Sequence, residues 1–274
     1  MKIKTYIVTG ATSGIGEALI KVLAKDNIVF AGYRDAKKLD KLKSISSNIY
    51  PFYIDYAKPE TIKFAADYLK SKITKVDTLI NIAGCVVAGP IENIEMSEIR
   101  RQFDVNVFGH LEFTKELMEL LEGSKIINIS SMASFGIFPF ISPYCASKRC
   151  LDIFFNLLSI ENKKNLQIIS IKPGAIATPL WEKSICENSK YIDNCTDYTK
   201  EMKFLIKNAQ KNETKGLSVN KVVDKIIKID NLKKAKPSYT IGRDAFVANI
   251  ISKLPQNIIN KLVKFSLNAR LKKY

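Results

Sequence analysis

Short apolar, β-branched runs recur along this chain with longer amphipathic segments between them, and that alternation constrains the fold more than any other feature. The runs are Ile3 to Thr9, Ile28 to Ala31, Ile49 to Ile54, Thr78 to Ala83, Lys125 to Ser130 and Leu166 to Ile171. Each is too short for a helix and is bounded by polar residues or glycine, the pattern of a parallel strand buried on both faces. Between them, Gly16 to Lys25, Pro59 to Lys72, Glu95 to Leu121 and Pro143 to Lys163 repeat apolar residues at the helical period. Repeated β-α-β units predict an α/β fold: a Rossmann-type, doubly wound parallel sheet with helices on both faces. A further short run at Ser238 to Ile241 brings the expected sheet to about seven strands.

At 274 residues, with 46% hydrophobic and 26% charged side chains, the chain can bury a sizeable core as a single α/β domain. The net charge of +16 raises nucleic acid or anionic lipid as partners. The lysines are spread without a block of like charge, however, and no zinc-finger, RNP or helix-turn-helix pattern occurs, so nucleic-acid binding is not expected. Five cysteines (Cys85, Cys145, Cys150, Cys186 and Cys195) form no C-x-x-C pair, and His110 is the one histidine. This set argues for reduced thiols in a cytoplasmic setting and for no metal site. No apolar run approaches the roughly 18 residues of a transmembrane helix. Lys2 to Thr9 runs straight into a glycine-rich turn, so no secretory leader is expected.

That turn, Thr9-Gly10-Ala11-Thr12-Ser13-Gly14-Ile15-Gly16, falls where the first strand ends and the first helix begins. Glycines there permit a tight reversal and let a pyrophosphate approach backbone N–H groups at the positive end of a helix. In this position the turn reads as a dinucleotide site rather than an ordinary loop. Tyr144-Cys145-Ala146-Ser147-Lys148 lies on a predicted helix, where a spacing of four puts both charged-form partners on one face. A phenol ionises near pH 10, so a neighbouring ammonium is what would bring it toward proton exchange at neutral pH.

With these motifs in place, the chain resembles the short-chain dehydrogenase/reductase family over roughly residues 3 to 180, and more loosely its steroid- and retinol-dehydrogenase-like branch toward the C-terminus. The resemblance implies a catalytic tetrad of Asn106, Ser131, Tyr144 and Lys148, Ser131 standing thirteen residues before Tyr144. It implies a nicotinamide cofactor held by Gly10, Thr12, Ser13, Gly14, Ile15, Gly16, Tyr33, Arg34, Asp55, Asn81, Ala83, Gly84, Tyr144, Lys148, Pro173, Gly174, Ile176 and Thr178. At the end of the second strand, Tyr33 takes the place of the family's NAD-selecting acid and Arg34 follows it, which favours NADP(H) because a guanidinium can grip a phosphate. Asp35 keeps NAD(H) open. Asn81-Ile82-Ala83-Gly84 departs from the family's Asn-Asn-Ala-Gly at Ile82.

Hydride transfer between nicotinamide and a carbonyl or alcohol follows from the resemblance, the alternative being a non-catalytic NADP-binding regulatory protein of the same fold. It divides the single domain 1–274 into a cofactor-binding and catalytic core (1–178), a substrate-binding loop region (179–216) and a C-terminal extension (217–274). Phe135, Phe138, Phe140 and Ile141, with Val86, Val87, Ala88 and Pro90, are expected to border an apolar substrate, with core packing as the rival role for some of them. His110 is expected to pack rather than act as a base. A homo-oligomer is expected. From Ala245 to Lys273 the chain is basic and amphipathic, broken into two helices by Pro255. Its apolar stripe is expected to pack on the substrate region or a second subunit, with peripheral contact at an anionic membrane as the alternative.

Overall fold

The structure, a computed structural model, describes residues 2–193 and 196–272; Cys195 and Lys273 lie outside the described residues. Seven strands form one sheet: β1 (Thr5–Val8), β2 (Ile28–Tyr33), β3 (Ile49–Tyr53), β4 (Thr78–Asn81), β5 (Lys125–Ile129), β6 (Gln167–Pro173) and β7 (Ser238–Ile241). Their order is β3-β2-β1-β4-β5-β6-β7, and every pairing is parallel. The chain builds outward from β1 to β3, crosses back, and builds the other way from β4. The reversal lies between β1 and β4, the place where a doubly wound sheet opens a crevice at the carboxyl ends of its strands.

Strand periodicity sorts the core into two layers. Tyr6, Val8, Val29, Ala31, Ile80, Ile127 and Ile169 pack with Leu19 and Ile20 of α1 (Gly14–Leu23) and Val222 and Ile226 of α10 (Val219–Asp230). The alternate residues Ile7, Phe30, Leu79, Ile126 and Ile168 pack on the other face, with Ile62 and Leu69 of α3 (Pro59–Lys72), Phe113 of α5 (Gly109–Glu116) and Leu151 and Phe155 of α6 (Ser142–Glu161). A short α2 (Leu39–Lys43) joins β2 to β3.

Two segments differ from the sequence reading. The helical period read over Glu95 to Leu121 is divided among α4 (Met96–Phe103), a π-helical turn over Asp104–Phe108, and then α5. The loop expected over 179–216 is mainly helical: α7 (Leu180–Glu187), α8 (Ser189–Asp193) and α9 (Thr199–Lys215). Its apolar residues are spaced for packing on a neighbour rather than for an independent core, which hides the helices from a periodicity scan. Pro255 does divide the C-terminal stretch, into α11 (Arg243–Ile251) and α12 (Gln256–Leu271). Among the described residues no helix is long and apolar enough to cross a membrane.

At the end of the sheet remote from the crevice, Asp230 of α10 ties sequence-distant elements together. Its carboxylate accepts hydrogen bonds from Lys4 Nζ (2.7 Å), Tyr6 Oη (2.7 Å) and Thr78 Oγ1 (2.6 Å), while Lys125 Nζ donates to its backbone carbonyl. Burial alone would raise its pKa, but the bonds from Lys4, Thr78 and Tyr6 outweigh that and hold it below the ordinary value of 3.8. A carboxylate with a depressed native pKa stabilises the fold at neutral pH, and that stabilisation is lost as pH falls below the ordinary value toward the native one. Asp230→Ala leaves Lys4, Tyr6 and Thr78 without their acceptor, and we expect it to destabilise the protein by about 3 kcal/mol in denaturant titrations at pH 7, with a smaller difference from wild type in acid.

Candidate active site

Gly10 and Gly14 adopt left-handed φ values of 65° and 52°, and the turn they form lies hard against the segment that follows β4. A Cβ on Gly10 would stand 2.9 Å from the Ala83 nitrogen, and one on Gly16 would stand 2.2 Å from the Gly10 carbonyl oxygen. Thr9 Oγ1 accepts from the Ile82 and Ala83 N–H groups at 3.1 and 3.4 Å, pinning the two chain segments together. Thr12, Ser13, Gly14 and Ile15 line one cavity of about 1220 Å³ at the N-terminus of α1. A Cβ on Gly14 would come 3.3 Å from Thr178 Cγ2, so the absent side chain leaves a cradle of backbone at the positive end of the helix. A dinucleotide pyrophosphate fits that cradle.

The same cavity wall carries Tyr33, Arg34, Asp55, Ala83, Gly84, Ser131, Tyr144, Lys148, Pro173, Gly174, Ile176 and Thr178. Thus the residues expected from positions 10 to 178 converge, with three exceptions. Gly16 is spent on packing α1 against the turn. Asn81 is buried, and its Nδ2 donates to Asn128 Oδ1 (2.8 Å) across the β4–β5 register. Asn106 stands behind the wall: Nδ2 donates to the Cys85 carbonyl and to Ser147 Oγ, both at 3.0 Å, and Oδ1 accepts from Cys85 N–H at 2.9 Å. Gly84 separates it from Lys148, since a Cβ there would meet Asn106 Oδ1 at 3.3 Å and Lys148 Nζ at 3.6 Å.

Ser131 follows β5 in extended backbone and its Oγ accepts from the Ala133 N–H (3.0 Å), capping a 3₁₀ turn. Tyr144 and Lys148 project from the first turns of α6. Lys148 Nζ donates to the Ile129 carbonyl (3.0 Å) and stands 6.0 Å from the centre of the Tyr144 ring. Burial pushes the Tyr144 hydroxyl up to about 12, with the Ser131 hydroxyl drawing it back. Burial likewise pushes Lys148 down to about 8, against the pull of Asp152 one turn further along α6. Desolvation, rather than the expected lowering by the ammonium, sets the direction for the phenol here, and at neutral pH the tyrosine carries its proton and the lysine its charge.

Near the second strand, Asp35 Oδ1 accepts from the Lys37 N–H (3.0 Å) and caps the following turn. Arg34 has no carboxylate partner among the described residues. Lys38, which the sequence reading did not single out, joins Arg34 on the cavity wall, and its Nζ donates to the Thr12 carbonyl at 3.4 Å. His110 is packed: Nε2 bonds the Ala83 carbonyl (2.8 Å), the ring lies edge-on to Tyr56, and burial lowers its pKa to about 3.

Of the apolar residues expected at the substrate side, Val86, Ala88, Phe138 and Ile141 line the cavity. Val87 instead packs with Ile94 and Tyr191, Phe140 packs on Met202 and Tyr198, and Lys172 sits over the Phe135 ring. Pro90 does not reach the wall. Buried amides that no motif announced hold the 85–88 segment: Gln102 bonds Val87 N–H and the Cys85 carbonyl, and Asn188 bonds Ala88 N–H and the Val86 carbonyl. Gly174 makes room for Asp244, whose Oδ2 accepts from the Ala175 N–H at 2.8 Å. Trp181, Val247, Leu262 and Arg270 complete the far wall.

Against known proteins, the model of the family described as short chain dehydrogenase matches residues 4–189. The chain belongs to the short-chain dehydrogenase family. A Bacillus subtilis (strain 168) protein named uncharacterized oxidoreductase YusZ is 30% identical over 254 residues, covering 89% of this chain and 90% of that one. An NADPH-dependent 3-dehydrocapnine reductase of Ornithobacterium rhinotracheale is 31% identical over 250 residues, covering 86% and 87%. The fold matches a short-chain dehydrogenase from Streptomyces avermitilis with a TM-score of 0.77, at 23% identity and 98% coverage of both chains. As a short-chain dehydrogenase the protein is an oxidoreductase using a nicotinamide cofactor, and its glycine turn has no room for a side chain at position 16. Gly16→Ala forces a Cβ into the Gly10 carbonyl, and we expect a fall of at least tenfold in dinucleotide affinity by calorimetry, together with a lowered melting temperature.

Proposed function

We propose that this short-chain dehydrogenase is an NADP(H)-dependent reductase of an apolar carbonyl compound, returning the corresponding alcohol. The observation that carries the reading is that Ser131, Tyr144 and Lys148 stand on the same cavity wall as the glycine turn and the unpaired Arg34. Arg34, with Lys38 beside it, would receive the 2'-phosphate, while Asp35 is engaged as a turn cap. The names of relatives are consistent: besides the 3-dehydrocapnine enzyme, a Saccharomyces cerevisiae relative is an NADPH-dependent 1-acyldihydroxyacetone phosphate reductase, 32% identical over 190 residues.

The nicotinamide supplies the hydride when bound. Ser131 holds the carbonyl oxygen by donating its hydroxyl proton toward it, and Tyr144, protonated at neutral pH, gives up its phenolic proton as negative charge develops there. Lys148 stabilises the phenolate left behind. Asn106, fixed by the Cys85 backbone and Ser147, holds its amide oxygen on the far side of Gly84 from Lys148 and serves the return of a proton to the lysine. The apolar wall of Val86, Ala88, Phe138, Ile141 and Trp181 excludes water and selects an apolar substrate. Residues 179–216 contribute part of that wall through α7 and α9. The four cysteines within the described residues are free thiols, which agrees with a reducing, cytoplasmic setting. Exposed Ile153, Phe154, Leu157 and Ile160 of α6, with Phe108, offer the face on which a second copy would pack into a homo-oligomer.

Tyr144→Phe should remove NADPH oxidation with a panel of apolar aldehydes and ketones while leaving NADPH affinity nearly unchanged; turnover above a few per cent of wild type would overturn the role of the phenol. Arg34→Ala should weaken NADPH binding by about 1.5 to 3 kcal/mol, the scale of a charged hydrogen bond, with far less effect on NADH. Because Lys148 is charged below its pKa of about 8 and neutral above it, the rate of carbonyl reduction should fall as pH rises through that value, and stopped-flow pH profiles of Lys148→Arg should move the fall upward.

A further inference from the structure

The stripe along the C-terminal stretch is only partly consumed by packing. On α12, Ile259 is buried, and Val263, Ser266, Leu267 and Arg270 face the cavity. The residues one face around, Ile258, Leu262 and Phe265, are exposed, Phe265 at 75%. On α11, Phe246 at 59% and Ile250 at 51% are exposed in the same way. Val247 and Leu262 are exposed and also line the cavity, so each of these two helices carries apolar side chains from the outer surface to the site.

What could cover that surface is indicated by its charge. Residues 245–272 include Lys253, Lys261, Lys264, Arg270 and Lys272 and not one Asp or Glu, and the one carboxylate of the two helices, Asp244, accepts from the Ala175 N–H. Helical spacing places Lys261, Lys264 and Lys272 on the flank of the α12 stripe opposite the cavity face. The exposed apolar face of α6 differs, having the exposed Glu161 at its end. An apolar stripe flanked by cations alone is self-repelling toward a second copy and complementary to an anionic surface.

We propose that the α11–α12 hairpin is a docking surface for an anionic lipid bilayer, with Phe246, Ile250, Ile258 and Phe265 seated among the headgroups and the flanking lysines against their charges. The cavity then opens toward the bilayer, and an apolar substrate reaches Tyr144 without crossing water. The contact is peripheral, because neither helix is long and apolar enough to span.

Sedimentation of the full chain with phosphatidylcholine vesicles, with and without phosphatidylglycerol, tests this without recourse to turnover, so its outcome stands apart from that of the proposed reaction. Wild type should pellet with the phosphatidylglycerol vesicles, and about tenfold less with neutral vesicles or at high salt. The variant F246S/I250S/F265S should lose this binding and keep its NADPH oxidation on a water-soluble carbonyl substrate. K261E/K264E, which changes two exposed residues, should lose the binding as well. Failure of wild type to bind, equal binding to both vesicles, or full binding by K261E/K264E would overturn the proposal. So would sedimentation velocity showing that wild type self-associates and that F246S/I250S/F265S is monomeric, because a second copy would then cover the face.

Discussion

The contact of backbone with backbone between the Gly10 turn and Ala83 is the constraint on which the site depends. Two strand ends, β1 and β4, diverge at the point where the sheet reverses its winding, and only a turn free of side chains can close against both the following helix and the neighbouring segment. Thr9 fastens the contact by accepting from Ile82 and Ala83, and His110 holds the Ala83 carbonyl from the other side. The glycine cradle and the cavity wall at Gly84, beside Lys148, are thereby fixed to one seam. Substitutions far from the reacting atoms can disable the enzyme by loosening that seam.

Two effects oppose each other around Tyr144. Burial excludes water and sharpens every electrostatic interaction, yet it also disfavours both the phenolate and the ammonium. In this structure desolvation prevails on each: the phenol rises and Lys148 falls. A protonated phenol beside a still-charged lysine is the state that the proposed reduction needs at the start of its cycle. The nearby Asp152, paired with Lys172 at 2.9 Å, limits how far the lysine can fall.

Much of this was legible in the residues. The strands were, because each is a short run bounded by polar residues or glycine and those inside the sheet are buried almost throughout, and so was the meeting of Ser131, Tyr144 and Lys148 with the glycine turn on one cavity wall. The packed amides were not. Gln102 and Asn188 look like ordinary polar residues until the fold brings to them the 85–88 backbone, which is distant in sequence from both. Residues 179–216 read as loop because their helices bury little against the sheet. Asn81 matched a family motif at a cofactor segment, and its side chain turns out to stitch β4 to β5. Asp230 was invisible for a similar reason: its three side-chain donors come from β1, the residue preceding it and β4, and nothing local marks it.

The π turn over Asp104–Phe108 acts as an angular correction. Residues four apart on an α-helix drift about 40° around the axis with each step, so a row of three would splay away from any straight partner. Gln102, Asn106 and His110 form such a row, and all three reach the strip of backbone from Ala83 to Val87. The single widened turn takes up the drift, letting one helical edge read an extended chain over two intervals. A regular α-helix of the same residues would set Gln102 and His110 about 80° apart around the axis, so the irregularity is what keeps the site's supporting edge straight.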